Sequence, residues 1–294
     1  MAGKRNEYIN RRKKRPKEIS KRAKGILSLS GFGAILCVVL VCCGNILKQN
    51  REDYYRAAQT NTECLTEITI PDETPEIKLF YTGFTVSFNP AMHQPNYCVW
   101  ELTSDKANGT EKRVSKFRPD DDVLGCATLD DYRNSGFDRG HMVPAGDMKW
   151  DSQAMLDSHY LTNICPQTHA LNGGRWSSLE NKCREWVARD SVLIIACGPI
   201  LTDRMPRAIG ESSIPVPERF FKVVLAPYSI PPRAIGFIMP NTAPEEGLET
   251  MAVSVDQVEE ITGFDFFNCL PDDIENEIEA QANFRQWNTR TKKR

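Results

Sequence analysis

A chain of 294 residues suits one good-sized domain with appendages, and 40% apolar with 26% charged residues is ordinary globular usage; a chain too polar to build a core is excluded. The formal charge of −2 hides an asymmetry. Lys4 to Lys24 carries eleven Lys/Arg against only Glu7 and Glu18, about +9, which leaves the rest of the chain at about −11.

Directly after this basic block, Gly25 to Leu47 ("GILSLSGFGAILCVVLVCCGNIL") holds no charge, and that length can cross ~30 Å of hydrocarbon as a helix. The expectation is a single transmembrane helix over 25–47. Its basic flank, residues 1–24, would stay in the cytoplasm, so all that follows would lie in the periplasm or the cell exterior. A cleaved signal peptide fits less well, because the basic region is long and no small-x-small site follows. As a nucleic-acid-binding arm, the basic block is outweighed by its role as a topology signal beside a span. Residues 48–75 are polar, with "PDETPE" near the end, and read as a linker before a globular domain over 76–282 and a basic tail over 283–294.

Seven of the ten cysteines lie beyond Leu47: Cys64, Cys98, Cys126, Cys165, Cys183, Cys197 and Cys269. An odd number leaves at least one unpaired, spacing gives no connectivity, and the absence of any CxxC pair gives a structural zinc site little support.

In chain order, "IKLFYTGFTVSFN" (Ile77 to Asn89) and "YCVWEL" (Tyr97 to Leu102) have strand composition, as do "SVLIIACG", "RFFKVVLAP" and "RAIGFIMPN" further on. Several are near-continuous apolar runs, as in central strands covered on both faces. The clearest helix runs from Asn172 to Ala188, with Trp176, Leu179, Cys183, Trp186 and Val187 on one face. Glu180 falls on the edge of that stripe, where a carboxylate is costly unless paired or helping to hold an ion. A last helix follows "LPDD", with Asp272 as its N-cap candidate.

"SGFDRGHMVPAGDM", Ser135 to Met148, holds Asp138, Arg139 and His141 among glycines and a proline. Alone it reads equally well as a polar turn in which Gly140 takes positive φ. Context changes this reading, since "LTNICPQTHALNGGRWSSLE" follows with Asn163, Asn172 and Glu180, and "KFRPDDD" precedes with Arg118. His93, His159 and His169 lack a partner ligand at metal spacing and read as packed or solvated histidines, and Asp120 to Asp122 as a polar loop without an EF-hand pattern.

The ordered series "FRPDDD", "DDYRNSGFDRGH", "YLTNICPQ…LNGGRWSSLE", "CGPI", "PVPERFFKVV" and "IMPN" resembles the DNA/RNA non-specific endonucleases of the ββα-metal type, the group that includes endonuclease G, over about Phe80 to Pro271. The resemblance implies an α+β fold with a central antiparallel or mixed sheet flanked by helices, and a ββα finger over roughly Ser135 to Glu180. It implies Mg²⁺, with Mn²⁺ as a substitute, bound directly by Asn172, and His141 as general base. Glu180 would orient metal-bound water, Asn163 would position the cluster, and Arg139 and Arg118 would contact phosphate. Asp138 would fix the loop or a metal water. Two departures stand out. Gly173 and Gly174 follow the metal-ligand Asn, where the family commonly has polar residues, and the chain beyond Leu47 is acidic, so affinity for nucleic acid must come from a local cleft.

The resulting expectation is a membrane-anchored, Mg-dependent endonuclease that cleaves DNA and RNA without sequence preference to 5′-phosphate products, with homodimerisation left open. Competing readings are a catalytically weak nucleic-acid-binding or uptake component and a phosphodiesterase of small nucleotides.

Overall fold

The computed structural model describes residues 40–56, 64–201, 207–243 and 246–288. The basic segment 1–24, the first part of the expected span and the last residues of the basic tail lie outside the described residues. The chain divides into two compact units, 1–53 and 54–294, and the residues singled out in the sequence lie in the second.

Residues 40–56 are helical and named α1. The expectation of a single transmembrane helix is corrected here: no helix among the described residues is long and apolar enough to cross a membrane. Of the expected span, only 40–47 falls among the described residues, and it is helical. Lys48, Arg51, Glu52, Asp53 and Arg56 then follow in quick succession, with Lys48 paired to Glu52 at 3.9 Å.

The second unit is α+β, built on a seven-stranded antiparallel sheet. Its strands are β1 (Ile77–Tyr81), β2 (Phe84–Asn89), β3 (Gln94–Thr103), β6 (Val192–Ile200), β9 (Arg219–Ala226), β10 (Arg233–Pro240) and β11 (Ala252–Val253), hydrogen-bonded in that spatial order. Between β3 and β6 the chain leaves the sheet to build β4 (Asp138–His141) and β5 (Ile164–Gln167), a separate antiparallel pair with Asp138 opposite Gln167 and His141 opposite Ile164. A further two-stranded pair is β7 (Ala208–Ile209) with β8 (Ile214–Pro215).

The apolar runs of β3, β6 and β9 are continuous because both faces are covered. Cys98, Trp100 and Leu102, with Leu193, Ile195, Cys197, Phe220 and Val224, point to one side; Tyr97, Val99, Ile194, Ala196, Phe221 and Val223 point to the other. The short helices α2 (Ser104–Ala107), α3 (Leu129–Tyr132) and α4 (Ser152–Asp157) precede the long helix α5 (Ser177–Asp190), which lies on the first side and buries Leu179, Cys183, Trp186 and Val187; α6 (Leu248–Met251) follows β10. On the opposite side lie α7 (Val255–Thr262) and α8 (Asp272–Glu279), which bury Val255, Val258, Ile274 and Ile278.

The helix expected from Asn172 is interrupted. Leu171–Trp176 forms a wide helical turn broken at Gly174 (φ −105°, ψ −111°), and regular α-helix begins at Ser177. The paired glycines, with no Cβ and the weakest helix preference short of proline, permit this break. At the other end of the domain, Asp272 is the first residue of α8 rather than its cap; Pro271 occupies that position, without a side-chain bond. Cys64 and Cys269 form a disulfide, while Cys98, Cys126, Cys165, Cys183 and Cys197 remain free thiols.

Candidate active site

The strand pair β4–β5 presents the "DRGH" residues over the first face of the sheet. Gly140 does not take the positive φ expected of a turn glycine; that conformation falls to Gly136. It is needed for another reason: a Cβ at 140 would run into the buried side chain of Gln167 on β5. Trp176, wholly buried at the start of α5, donates its indole N–H to the His141 carbonyl at 3.1 Å and so ties the helix to β4.

Asn163 sits just before β5 and is fully buried. Its Oδ1 accepts from Val143 N (2.9 Å) and Cys98 Sγ (3.4 Å), and its Nδ2 donates to Val143 O (3.0 Å) and Ser158 O (2.9 Å). Three of the four bonds pin the backbone on either side of the site, so Asn163 holds the residue two beyond His141 in place.

His141, Asn172, Asp138 and Arg139, four of the seven residues singled out in the sequence, line one cavity of about 320 Å³, together with Arg113 and Phe117. Asn172 donates Nδ2–H to Asp138 Oδ2 at 2.9 Å, and His169 Nδ1 lies at 2.9 Å from the same oxygen. The bond from Nδ2 fixes the amide and leaves Oδ1 as its acceptor atom. His141 is 7% exposed and its Nε2 has no hydrogen-bond partner. Its ring is boxed by Phe117 (centroids 5.1 Å) and His159 (5.0 Å, edge-on). Burial, then His159 and Arg113, hold the imidazole well below its ordinary value near 6.5, so it is neutral at neutral pH.

Arg139 lies over the Phe117 ring at 4.8 Å. Arg118 is not among the residues lining the cavity; its guanidinium stacks on Tyr160 at 4.1 Å, and its Nε is without a hydrogen-bond partner. Glu180 is half-buried on α5, also outside the lining. Burial pushes its carboxyl up to about 7, opposed by Lys222, reinforced by Asp147 and opposed again by Arg184 and Arg113.

That group of charges was not visible in the sequence. Lys222 lies in the middle of β9, 1% exposed, with its ammonium 4.3 Å from the Trp176 ring and 5.2 Å from the Trp100 ring. Burial works against its charge, but Cys197, then Glu180, Cys183 and Asp147, hold its pKa above the ordinary value. Asp147 is 1% exposed, accepts from Trp100 Nε1 at 3.1 Å and pairs with Arg184. In the sequence Lys222 is one residue inside "RFFKVVLAP", and only its position on an otherwise apolar strand signalled it. Arg113 could have been found from the basic cluster Lys112, Arg113, Lys116, Arg118. His159, read as packed, is packed, and it sits against the candidate base.

A cavity that joins a neutral histidine, two guanidiniums and an amide–carboxylate pair on a strand–strand–helix finger defines a nuclease-type site. The sequence model of the DNA/RNA non-specific endonuclease family matches residues 65–273, and the chain belongs to that family. Nuclease EXOG, mitochondrial, of Danio rerio is 34% identical over 240 residues, covering 74% of this chain and 69% of the relative. Nuclease 1, mitochondrial, of Schizosaccharomyces pombe is 31% identical over 70% of this chain and 71% of its own length, and human endonuclease G, mitochondrial, 31% over 63% and 67%. The chain spans 56% of the mouse EXOG nuclease. A crystal structure of an EndoG/EndoGI complex superposes with a TM-score of 0.61 at 24% identity, over 66% of this chain and 86% of the other, which supports the fold.

The protein is therefore a nucleic-acid-hydrolysing enzyme of a divalent-metal-dependent family. The expected location, a single-pass membrane protein with an extracytoplasmic catalytic domain, does not stand. No described helix can span a bilayer, and these relatives bear mitochondrial names.

Proposed function

We propose that this nuclease cleaves phosphodiester bonds of both DNA and RNA without marked sequence preference, with His141 as general base and Mg²⁺ held through Asn172. The observation that carries the reading is His141, a neutral imidazole on the wall of a cavity that also holds Arg113, Arg139 and Asn172. A base must remain unprotonated at working pH, and this environment favours that.

The donor set fits a hard divalent ion. Asn172 offers an amide oxygen and Asp138 a carboxylate already aligned to it, few protein ligands and all oxygen, as Mg²⁺ commonly accepts. When bound, the ion supplies neutralisation of charge on the scissile phosphate and stabilisation of the departing oxygen. The His141 imidazole takes a proton from the attacking water as its oxygen bonds to phosphorus. The bond from phosphorus to the 3′ oxygen breaks, that oxygen leaves with the electron pair and gains a proton, and the products carry 5′-phosphate and 3′-hydroxyl ends. Arg139 and Arg113 bind the phosphate oxygens. Arg118 meets a neighbouring phosphate from its stack on Tyr160, and Glu180, poised by Lys222, orients water beside the ion.

In this reading the nuclease domain is residues 76–282, with Leu65 and Ile68 before it and Trp287 after it buried against the same unit. The guanidiniums act locally and the domain is otherwise acidic, so substrate binding is salt-sensitive. The test is cleavage of plasmid DNA and of a structured RNA by wild type and His141→Ala, with Mg²⁺ and with EDTA. Cleavage of both polymers only by wild type with Mg²⁺ supports the reading; a His141→Ala protein that cuts at the wild-type rate overturns it. Cleavage of dinucleotides but not polymers would favour a small-nucleotide phosphodiesterase.

A further inference from the structure

On the face of the sheet opposite the active site, three carboxylates converge from two helices. Asp256 and Glu259 stand three residues apart on α7 and so share one face of that helix, and Glu279 ends α8. One oxygen from each lies within 4.8 Å of the others. Asp256 is exposed, Glu259 is partly buried, and Glu279 retains only 4% of its surface.

Glu279 is the feature that requires an explanation. Its Oε1 is buried with no hydrogen-bond partner, and the side chain is aimed at two other carboxylates. A buried carboxyl without a partner is costly, whereas an apolar residue at the inner end of α8 would cost nothing comparable. The strongest charges acting on Glu279 are Glu259, Glu275, Asp256 and Asp265, all acidic. After burial itself, these neighbours push its carboxyl up to about 9; Glu275 is raised to about 7 by burial and its own acidic neighbours. Glu259 is held in place by the bond its Oε1 accepts from Phe266 N at 2.9 Å. What would satisfy such a group is positive charge with high oxygen affinity.

We propose that Asp256, Glu259 and Glu279 form a calcium site that clamps α7 to α8, separate from the catalytic ion. Ca²⁺ takes roughly six to eight oxygen ligands in a flexible geometry, whereas Mg²⁺ demands a near-ideal octahedron and keeps most of its waters, so an all-carboxylate set from two helices suits Ca²⁺. Three carboxylates also match the anionic oxygen shell that Ca²⁺ takes, with water completing it at the exposed Asp256 side.

The experiment uses the full-length protein, stripped with EDTA and desalted, in four forms: wild type, Glu279→Gln, Asp256→Asn and Asn172→Ala. CaCl2 is titrated in a calorimeter and in thermal unfolding. With Ca²⁺ at a hundred times its Kd, wild type and Asn172→Ala should each gain roughly 5–10 °C in Tm. Glu279→Gln and Asp256→Asn should bind Ca²⁺ at least tenfold more weakly and lose most of that gain, while Glu279→Gln keeps wild-type nuclease activity in Mg²⁺ to within about twofold. Ca²⁺ stabilisation that disappears in Asn172→Ala, or persists fully in Glu279→Gln, overturns the proposal, as does wild type that takes up no Ca²⁺. Should Glu279→Gln fail to fold, Asp256→Asn decides at an exposed position: a retained wild-type Kd overturns the site and a tenfold loss supports it. Asn172→Ala separates this site from the catalytic reading, since loss of nuclease activity with Ca²⁺ binding retained leaves the two independent.

Discussion

The two faces of the central sheet each carry a buried polar atom without a hydrogen-bond partner, His141 Nε2 on one and Glu279 Oε1 on the other. Both groups are driven towards neutrality by burial, the imidazole downwards and the carboxyl upwards. Only the surroundings tell them apart. Around His141 stand Arg113 and Arg139, which suit an anion; around Glu279 stand Glu259, Glu275, Asp256 and Asp265, which suit a cation. Perturbed titration marks an unusual site, whereas the sign of the neighbouring charge indicates what the site is for.

The largest expected effect lies on the first face. His141→Ala should lower plasmid cleavage by roughly 10³-fold or more, within the range of general-base removal, with little change in Tm. If Glu279→Gln produced a loss of similar size, the two faces would not be independent and the contrast would fail. Asn163→Ala should behave differently from His141→Ala, losing both stability and activity. Four buried hydrogen bonds go at once, leaving Val143 and Ser158 backbone groups unsatisfied, so urea unfolding should show a loss of about 3 kcal/mol or more. Unchanged stability would mean that Asn163 serves the reaction directly rather than through the backbone.

Arg113→Ala should weaken substrate binding by about tenfold and reduce its salt dependence, read from KM at two ionic strengths. It removes one of the groups that depress the His141 pKa, so the acid limb of kcat/KM should also move to higher pH. In wild type that limb lies below pH 6.5, because a base with a lowered pKa stays unprotonated further into acid. A wild-type limb above 6.5 would detach His141 from the role of base.

The smallest effect is a slope on the second face. Without Ca²⁺, folded Glu279 holds its proton up to about pH 9 while the unfolded side chain releases it near 4.5. The folded state then binds more protons throughout that window, so this contribution to stability is complete below 4.5 and is lost as pH rises through 9. In EDTA, Tm of wild type should fall between pH 6 and 9 more steeply than that of Glu279→Gln, and Ca²⁺ should flatten the wild-type curve. Parallel curves in EDTA would show that Glu279 does not carry the titration.

The face with the candidate active site gave the more readable signals, because they are local or ordered along the chain. "DRGH" and the Asn–Glu spacing of "LNGGRWSSLE" place Asp138, Arg139, His141 and Asn172, and the structure brings these four to one cavity. Several of the apolar runs likewise read as central strands, and β3, β6 and β9 lie in the middle of the sheet. Lys222 escaped notice because a single lysine in such a run reads as an irregularity; its burial depends on Trp100 and Trp176, which come from distant parts of the chain. The acidic face was opaque for a related reason. Asp256, Glu259 and Glu279 look like the polar sides of two amphipathic helices, and only the packing of α8 turns Glu279 inward. The expected membrane span rested on hydropathy across 25–47, most of it outside the described residues, and no described helix is long and apolar enough to cross a membrane.

The Cys64–Cys269 bridge joins residues 205 positions apart and encloses every strand of the sheet and the entire finger. Under oxidising conditions residues 64–269 are therefore covalently a ring, with 63 residues before it and 25 after it. A single protease cut anywhere on that ring linearises it without releasing a piece, so nicked and intact protein co-migrate on a gel until reductant is added. By the same topology, a version opened at an exposed loop, with its present ends spliced near the bridge, would be the same ring entered at another point.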